Sequence, residues 1–260
     1  MTAPVKAPAS PRGRLLLVPN TLDLGAEAVD LQDLLPLGVL RQAAALQHWV
    51  VEDARSARAF LKRVQAVVPL ALPLQALAMT ELPRARKGSG QPVPAAEWAA
   101  LLAPALAGHD LGLLSEAGLP AVADPGAALV QAAHAAQVPV WPLAGASSLL
   151  LALAASGLNG QSFAFVGYLP QESAARLTRL RELEAVSRKL QQTQILIETP
   201  YRNAALLAAL LAGLNGQTRL SVSSGLTGPA AWTHSATVSD WRRSGRAMSD
   251  REPAVFALLA

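Results

Sequence analysis

An α/β fold is what this sequence predicts, and three observations carry that reading. Residues 111–143 hold a short apolar run, a polar turn, a helical-period stretch and a second apolar run. That order is the signature of a parallel βαβ unit. A second series of short apolar runs begins at 163–166. The composition, 52% hydrophobic and 15% charged over 260 residues, can fill a sizeable core. At roughly 150 residues per domain it allows one large domain or two of moderate size.

In chain order, 1–14 is rich in Ala and Pro, lacks an apolar stretch and reads as a disordered tail rather than a signal peptide. Residues 15–18 form a buried strand ending at Pro19. Residues 22–40 read as a helix broken by Pro36, 48–52 as a strand, and 54–64 as a helix with basic residues on one side. The Pro, Gly and basic loop 83–94 is expected to be mobile, and 95–107 to be a helix interrupted near Pro104. Strand 111–114, turn 115–126, helix 127–136, strand 138–143 and helix 147–155 follow. Beyond them come strand 163–166, a charged helix 172–190, strand 194–197, helix 204–214 and strand 219–223. Late strands are expected at 230–238 and 253–259. The mixed charges of 172–190 read as a solvated, self-paired face. The domain boundary is placed after Leu143, giving a tail 1–13 and domains 14–143 and 144–260.

Several chemistries are disfavoured. With no cysteine, disulfides, thiolate–zinc sites and a catalytic Cys are excluded. The absence of cysteine fits a reducing, cytoplasmic compartment. His48, His109, His134 and His234 lack ligand spacing, so no metal site is expected. No G-x-G-x-x-G follows the first strand, and Lys87-Gly88-Ser89 lacks the glycines of a P-loop. The longest apolar stretch, 147–156, is too short for the roughly 20 residues of a membrane span. A net charge of +4 is compatible with an acidic partner such as RNA but does not require one.

Two turns stand out. SEAGLPAVADPG (115–126) leaves the carboxyl end of a strand, where ligands bind in open parallel sheets. Gly118 permits positive φ or close backbone approach, and Asp124 is expected to cap the next helix with Pro125 at its first position. The connection is longer than a minimal one. PLAGASS (142–148) leaves the next strand in the same way, with Gly145 for a tight turn and Ser147 or Ser148 as a helix cap. Two such turns on one sheet edge can floor a pocket.

These turns, with GYLP (167–170) and ETPYR (198–202), resemble the ribosomal RNA small-subunit methyltransferase I family of the tetrapyrrole (corrin/porphyrin) methylases. The resemblance runs from Arg14 to Leu259 and is most specific over 111–170. It implies two α/β domains with S-adenosylmethionine in a cleft between them, and a homodimer. It also implies cofactor contacts from Pro19, Ser115, Glu116, Ala117, Gly118, Pro120, Asp124, Gly145, Ala146, Ser147, Gly167, Leu169 and Pro200. Glu198 is the implied catalytic base, with Glu52 and Asp53 as lesser candidates, and Arg55 and Arg202 face the substrate. Glu198 pairing with Arg202, four residues on, is the structural alternative. The expected activity is S-adenosylmethionine-dependent methyl transfer, to an rRNA ribose 2′-hydroxyl by resemblance. A non-catalytic cofactor-binding paralogue and a methylase of a small molecule such as a tetrapyrrole remain alternatives.

This chain departs from the family pattern at Asp23, where the family has glycine, and at Ser223–Gly228 (SSGLTG), where three charges are lost. Those changes fall on the substrate side and imply a divergent member.

Overall fold

The computed structural model describes residues 12–22, 29–84 and 92–260. Most of the expected tail, Asp23 of the first loop, and 85–91 of the Pro-rich loop lie outside the described residues. By contacts the chain divides into two compact units, Met1–Ala146 and Ser147–Ala260.

The first unit contains β1 (Leu15–Leu17), α1 (Leu31–Leu34), α2 (Leu37–Ala45), β2 (His48–Val51), α3 (Ala54–Val67) and β3 (Ala78–Glu81). These are followed by α4 (Ala95–Ala100), α5 (Ala103–Leu106), β4 (Leu111–Leu114), α6 (Ala127–Ala135) and β5 (Val140–Pro142). The five strands form one parallel sheet in the order β3-β2-β4-β1-β5. The crossover from β4 through α6 to β5 is present, but β1 lies between the two strands and pairs with both. All four residues of β4 are buried, as a strand covered on both faces requires. One apolar cluster joins Leu16, Val18, Trp49 and Val51 to α1, α2 and α3. A second, on the opposite face, joins Leu15, Val50, Leu111 and Leu113 to Leu102, Ala105, Leu129 and Ala133. Gly112 makes room for Trp49, whose Cε3 would lie 2.6 Å from a Cβ at that position.

The second unit contains α7 (Ser148–Ser156), β6 (Phe163–Gly167), α8 (Ser173–Leu190), β7 (Thr193–Glu198) and α9 (Asn203–Gly213). It ends with β8 (Arg219–Ser224), β9 (Trp232–Thr237), α10 (Val238–Ser244) and β10 (Ala254–Leu259). The sheet order is β6-β7-β10-β8-β9; only β6 and β7 run parallel. Period-two alternation splits the sheet. Ile195, Val255 and Ala257 meet Leu149, Ala152 and Leu153 of α7. Leu196, Phe256, Leu220 and Val222 face residues of α8, α9 and α10.

Four sequence expectations are corrected. Asp124 does not cap α6: the cap position is Gly126, at φ 128°, with no side-chain hydrogen bond. Of the helix expected over 22–40, residues 23–28 lie outside the described residues; Leu22, Val29 and Asp30 are not helical, α1 starts at Leu31 with Asp30 as its cap, and the expected break falls at Pro36. The strand β3 went unread because AMTE is an exposed edge strand with no apolar run. The strand expected to reach Val238 stops at Thr237, which starts α10. The Thr237 hydroxyl accepts from Asp240 N at 3.1 Å and lies 2.7 Å from Asp240 Oδ2. This T-x-x-D pattern is a helix-start signal. It turns Trp241 into the core, where its Nε1 donates to Leu220 O at 2.8 Å.

The charges of α8 pair among themselves, Arg179 with Glu182 at 3.0 Å and Arg188 with Glu184 at 3.9 Å. No helix among the described residues is long and apolar enough to cross a membrane.

Thr237→Ala removes the α10 cap and is expected to lower unfolding free energy by about 1 kcal/mol, read as a reduced urea midpoint with an unchanged m-value.

Candidate functional site

The carboxyl ends of the parallel strands in the first unit gather most of the expected residues. The loop after β1 is sewn to the loop after β4. Asn20, 5% exposed, donates through Nδ2 to Ser115 O and Glu116 O, both at 3.0 Å. Its backbone N–H donates to Gly118 O at 2.8 Å, and Gly118 N–H donates back to Thr21 O at 3.3 Å. Its Oδ1 accepts from Thr21 N–H at 2.8 Å. The loop after β5 closes on the same point. A Cβ at Gly145 would fall 2.5 Å from Pro19 Cγ and closer still to its Cβ. Pro19, Ser115, Gly118 and Gly145 are thus brought together by contact, with Glu116, Ala117, Pro120 and Ala146 in the same loops.

The turn after β4 is strained. Gly118 sits at φ 65°, but so do two residues with a Cβ, Ala121 at 67° and Ala123 at 65°. A left-handed alanine costs roughly 1–2 kcal/mol. Such strain persists only where the surroundings over-determine it. It leaves the peptide groups of this turn in an arrangement that ordinary connections do not reach.

An acidic lip lies on this edge. Glu52 Oε2 accepts from Glu116 N–H at 3.1 Å. Arg84 donates to Glu52 O at 3.3 Å. Burial pushes the Asp124 carboxyl up to about 6, with Glu52 and Glu116 adding to the rise and a hydrogen bond from Ser115 opposing it. Burial, then Glu52 and Asp53, also raises Glu116. Asp53 moves the other way because it caps α3, accepting from Ser56 N–H at 2.8 Å and Arg55 N–H at 2.9 Å. Asp53 is therefore engaged as a helix cap, while Arg55 is exposed on the first turn of that helix.

The remaining expected residues belong to the second unit. Ser147 is the cap residue of α7, yet its side chain makes no capping hydrogen bond. Gly167 has φ 71° and open space where a Cβ would stand. Leu169 is buried in the apolar cluster and offers only its backbone to a ligand. Pro200 opens the 3-10 turn Pro200–Arg202. Glu198, with a side chain 3% exposed, pairs with Arg202 at 2.9 Å. Its other oxygen accepts from Thr199 N–H at 2.8 Å. The pairing foreseen as the structural alternative is present.

Some polar groups at this end of the sheet were not singled out from sequence as ligand contacts. Asn203 Oδ1, Ser224 Oγ and Thr227 Oγ1 are buried without a hydrogen-bond partner. Ser224 and Glu198 both register against Ala254. Thr227 is in the left-handed region at φ 70°. Lone serines and threonines carry no pattern.

Within the second unit, these unpartnered groups suit a ligand that carries hydroxyl and amino groups. Unsatisfied buried acceptors and hydroxyls are costly unless a partner arrives. The acidic lip suits a positively charged ligand. Among the described residues no group of three or more His, Asp or Glu is placed to hold a metal ion.

Gly145→Ala should drive Pro19 from its seat and destabilise the first unit by about 1–3 kcal/mol, measured by chemical denaturation. Asp124 is raised from 3.8 to about 6 in the folded state, so its ionisation opposes folding increasingly between those values and in full above the upper one, and the effect vanishes only once both states are protonated, below about pH 3. Asp124→Asn should therefore stabilise the ligand-free chain at pH 8 by about 1 kcal/mol after allowance for solvent screening. That corresponds to a thermal midpoint raised by about 2–4 °C, with the difference gone below about pH 3.

Comparison with known proteins places this geometry. The model of the tetrapyrrole (corrin/porphyrin) methylases matches residues 37–240. Curated relatives named ribosomal RNA small subunit methyltransferase I include one from Mesorhizobium japonicum, 40% identical over 127 residues, covering 49% of this chain and 42% of that protein. Another, from Micromonospora olivasterospora, is 46% identical over 107 residues, covering 41% of this chain and 33% of that protein. The matched stretch spans less than half the length of either relative. Among solved structures, the methyltransferase CobJ superposes with a TM-score of 0.56 at 18% identity, covering 94% of this chain and 93% of that one. A uroporphyrin-III C-methyltransferase from Thermus thermophilus, complexed with S-adenosylhomocysteine, gives 0.51 at 20% identity, covering 95% and 97%. At these identities the structural likeness bears on the fold alone. With the family model spanning most of its length, the chain belongs to the tetrapyrrole (corrin/porphyrin) methylases.

Proposed function

We propose that the chain is an S-adenosylmethionine-dependent methyltransferase whose acceptor is RNA, with a ribose 2′-hydroxyl of small-subunit rRNA as the target. The observation that carries the cofactor reading is the triple closure of Pro19, Gly118 and Gly145 at the carboxyl edge of the first sheet. The names of the curated relatives support the acceptor.

The cofactor supplies an activated methyl group on a sulfonium, so the protein's work is alignment and proton handling. Ser115, Glu116, Ala117, Gly118 and Pro120 hold it with backbone groups on one side, and Pro19, Gly145 and Ala146 on the other. The lip of Glu52, Glu116 and Asp124 favours its positive charge. From the second unit the family resemblance adds Ser147, Gly167, Leu169 and Pro200 as contacts. Arg202 takes a substrate phosphate through its guanidinium fork. Glu198 accepts the hydroxyl proton once Arg202 turns from it to that phosphate. Arg55 contacts substrate from the start of α3. The protein acts in the cytoplasm as a homodimer.

The test is transfer of a labelled methyl group from S-adenosylmethionine to small-subunit rRNA from a strain lacking the gene. A labelled 2′-O-methyl nucleoside after digestion is expected, and its loss in Glu198→Gln. Methylation of a tetrapyrrole instead, with unlabelled RNA, would replace this acceptor.

A further inference from the structure

Helix α3 carries four cations and no acid: its sequence is ARSARAFLKRVQAV. Its buried side is Ala57, Phe60, Leu61 and Val64. Arg63 is turned to structural use, donating to Val29 O at 3.0 Å and to Thr21 Oγ1 at 3.4 Å. Arg55, Arg58 and Lys62 are exposed. They stand at i, i+3 and i+7, one face of a helix, over about 10 Å of its length. Among the described residues none of the three is in an ion pair; Arg58 reaches only Ala54 O, at 3.3 Å. On α8, by contrast, Arg179 and Arg188 are matched by glutamates.

The position of this stripe matters. It begins directly after Asp53, the cap of α3, and Asp53 follows Glu52 on the acidic lip of the candidate site. A cationic row therefore runs away from the edge where the cofactor is proposed to bind. The exposed residues between the cations include Ala59, and no large apolar side chain is among them. A membrane-surface helix would set apolar anchors there. A row of unmatched cations without anchors suits a partner that is itself a row of charges.

We infer that the exposed face of α3 is a track for the sugar–phosphate backbone of a single-stranded RNA segment, with Arg55, Arg58 and Lys62 each meeting a phosphate. The inference rests on the reading that the acceptor is RNA. The contacts carry no sequence information, so they hold the strand while the edge beyond Arg55 receives the reacting nucleotide.

The experiment uses the full chain and a fluorescein-labelled 20-nucleotide single-stranded RNA of mixed sequence, titrated by anisotropy from 50 to 200 mM salt. For R55Q/R58Q/K62Q the slope of log K against log salt should flatten by about 2, since each single-strand phosphate contact contributes about 0.7. At 50 mM salt, affinity should drop about tenfold or more, alike for two unrelated sequences. The control R179Q/R181Q/R188Q on α8 should keep the wild-type slope, as should the conservative R55K/R58K. Should the triple variant misfold, R58E alone is read in the same way. An unchanged slope in a folded variant, an equal loss in the α8 control, or wild-type binding to phosphatidylserine vesicles but not to RNA would each overturn the inference. Titration of the same proteins with S-adenosylmethionine separates the two readings. If wild type fails to bind the cofactor but the slope still flattens, the methyltransferase reading falls and the track stands.

Discussion

The first unit depends on one clamp: Asn20 gripping the carbonyls of Ser115 and Glu116 while Pro19 packs against the bare backbone of Gly145. Each part is dictated by what its neighbour lacks. Loops leaving adjacent parallel strands have carbonyls with no ladder partner, and a buried carbonyl needs a donor. An amide side chain supplies two donors and an acceptor from one position, and here all are used. Gly145 then lets the third loop close to a distance that no residue with a Cβ would tolerate. The result fixes three strand ends at one edge. The left-handed alanines at 121 and 123 lie in the turn that follows the gripped carbonyls. Stability from the clamp is spent once on a rigid turn that an unconstrained loop would relax.

In the second unit the same logic acts through the sheet rather than the loops. Strict alternation sends Leu196, Phe256 and Val222 to one apolar layer and Ile195, Val255 and Ala257 to the other. Polar residues concentrate where the strands end. Glu198 has no solvent to stabilise its charge, so Arg202 and Thr199 do so instead. Ser224, Thr227 and Asn203 keep atoms with no partner in the same region. A protein core rarely leaves several such groups unmatched unless something arrives to satisfy them.

Much of this was legible in the sequence, for definite reasons. Buried parallel strands are apolar runs, so β1, β2 and β4 could be read within a residue or two. The turns after β4 and β5 carried glycines whose need the structure makes concrete: positive φ at Gly118, contact with Pro19 at Gly145. What escaped was set by tertiary context. AMTE has no pattern of its own and becomes β3 only by pairing with β2. Asp124-Pro125-Gly126 has the chemistry of a helix start, yet the chain enters α6 through Gly126. Asp124 is instead drawn into the acidic lip. Asn20 reads as an ordinary loop residue until the carbonyls it holds, some 95 positions away, are brought to it by the fold.

The central claim, that the edge built by Pro19, Gly118 and Gly145 holds S-adenosylmethionine, is tested most directly by isothermal titration of the wild-type chain and of Gly118→Val. The account predicts a wild-type dissociation constant of about 1–50 µM, roughly −6 to −8 kcal/mol, and no detectable binding by a variant that remains folded. Undiminished binding by folded Gly118→Val, or no binding by wild type up to millimolar cofactor, would contradict it.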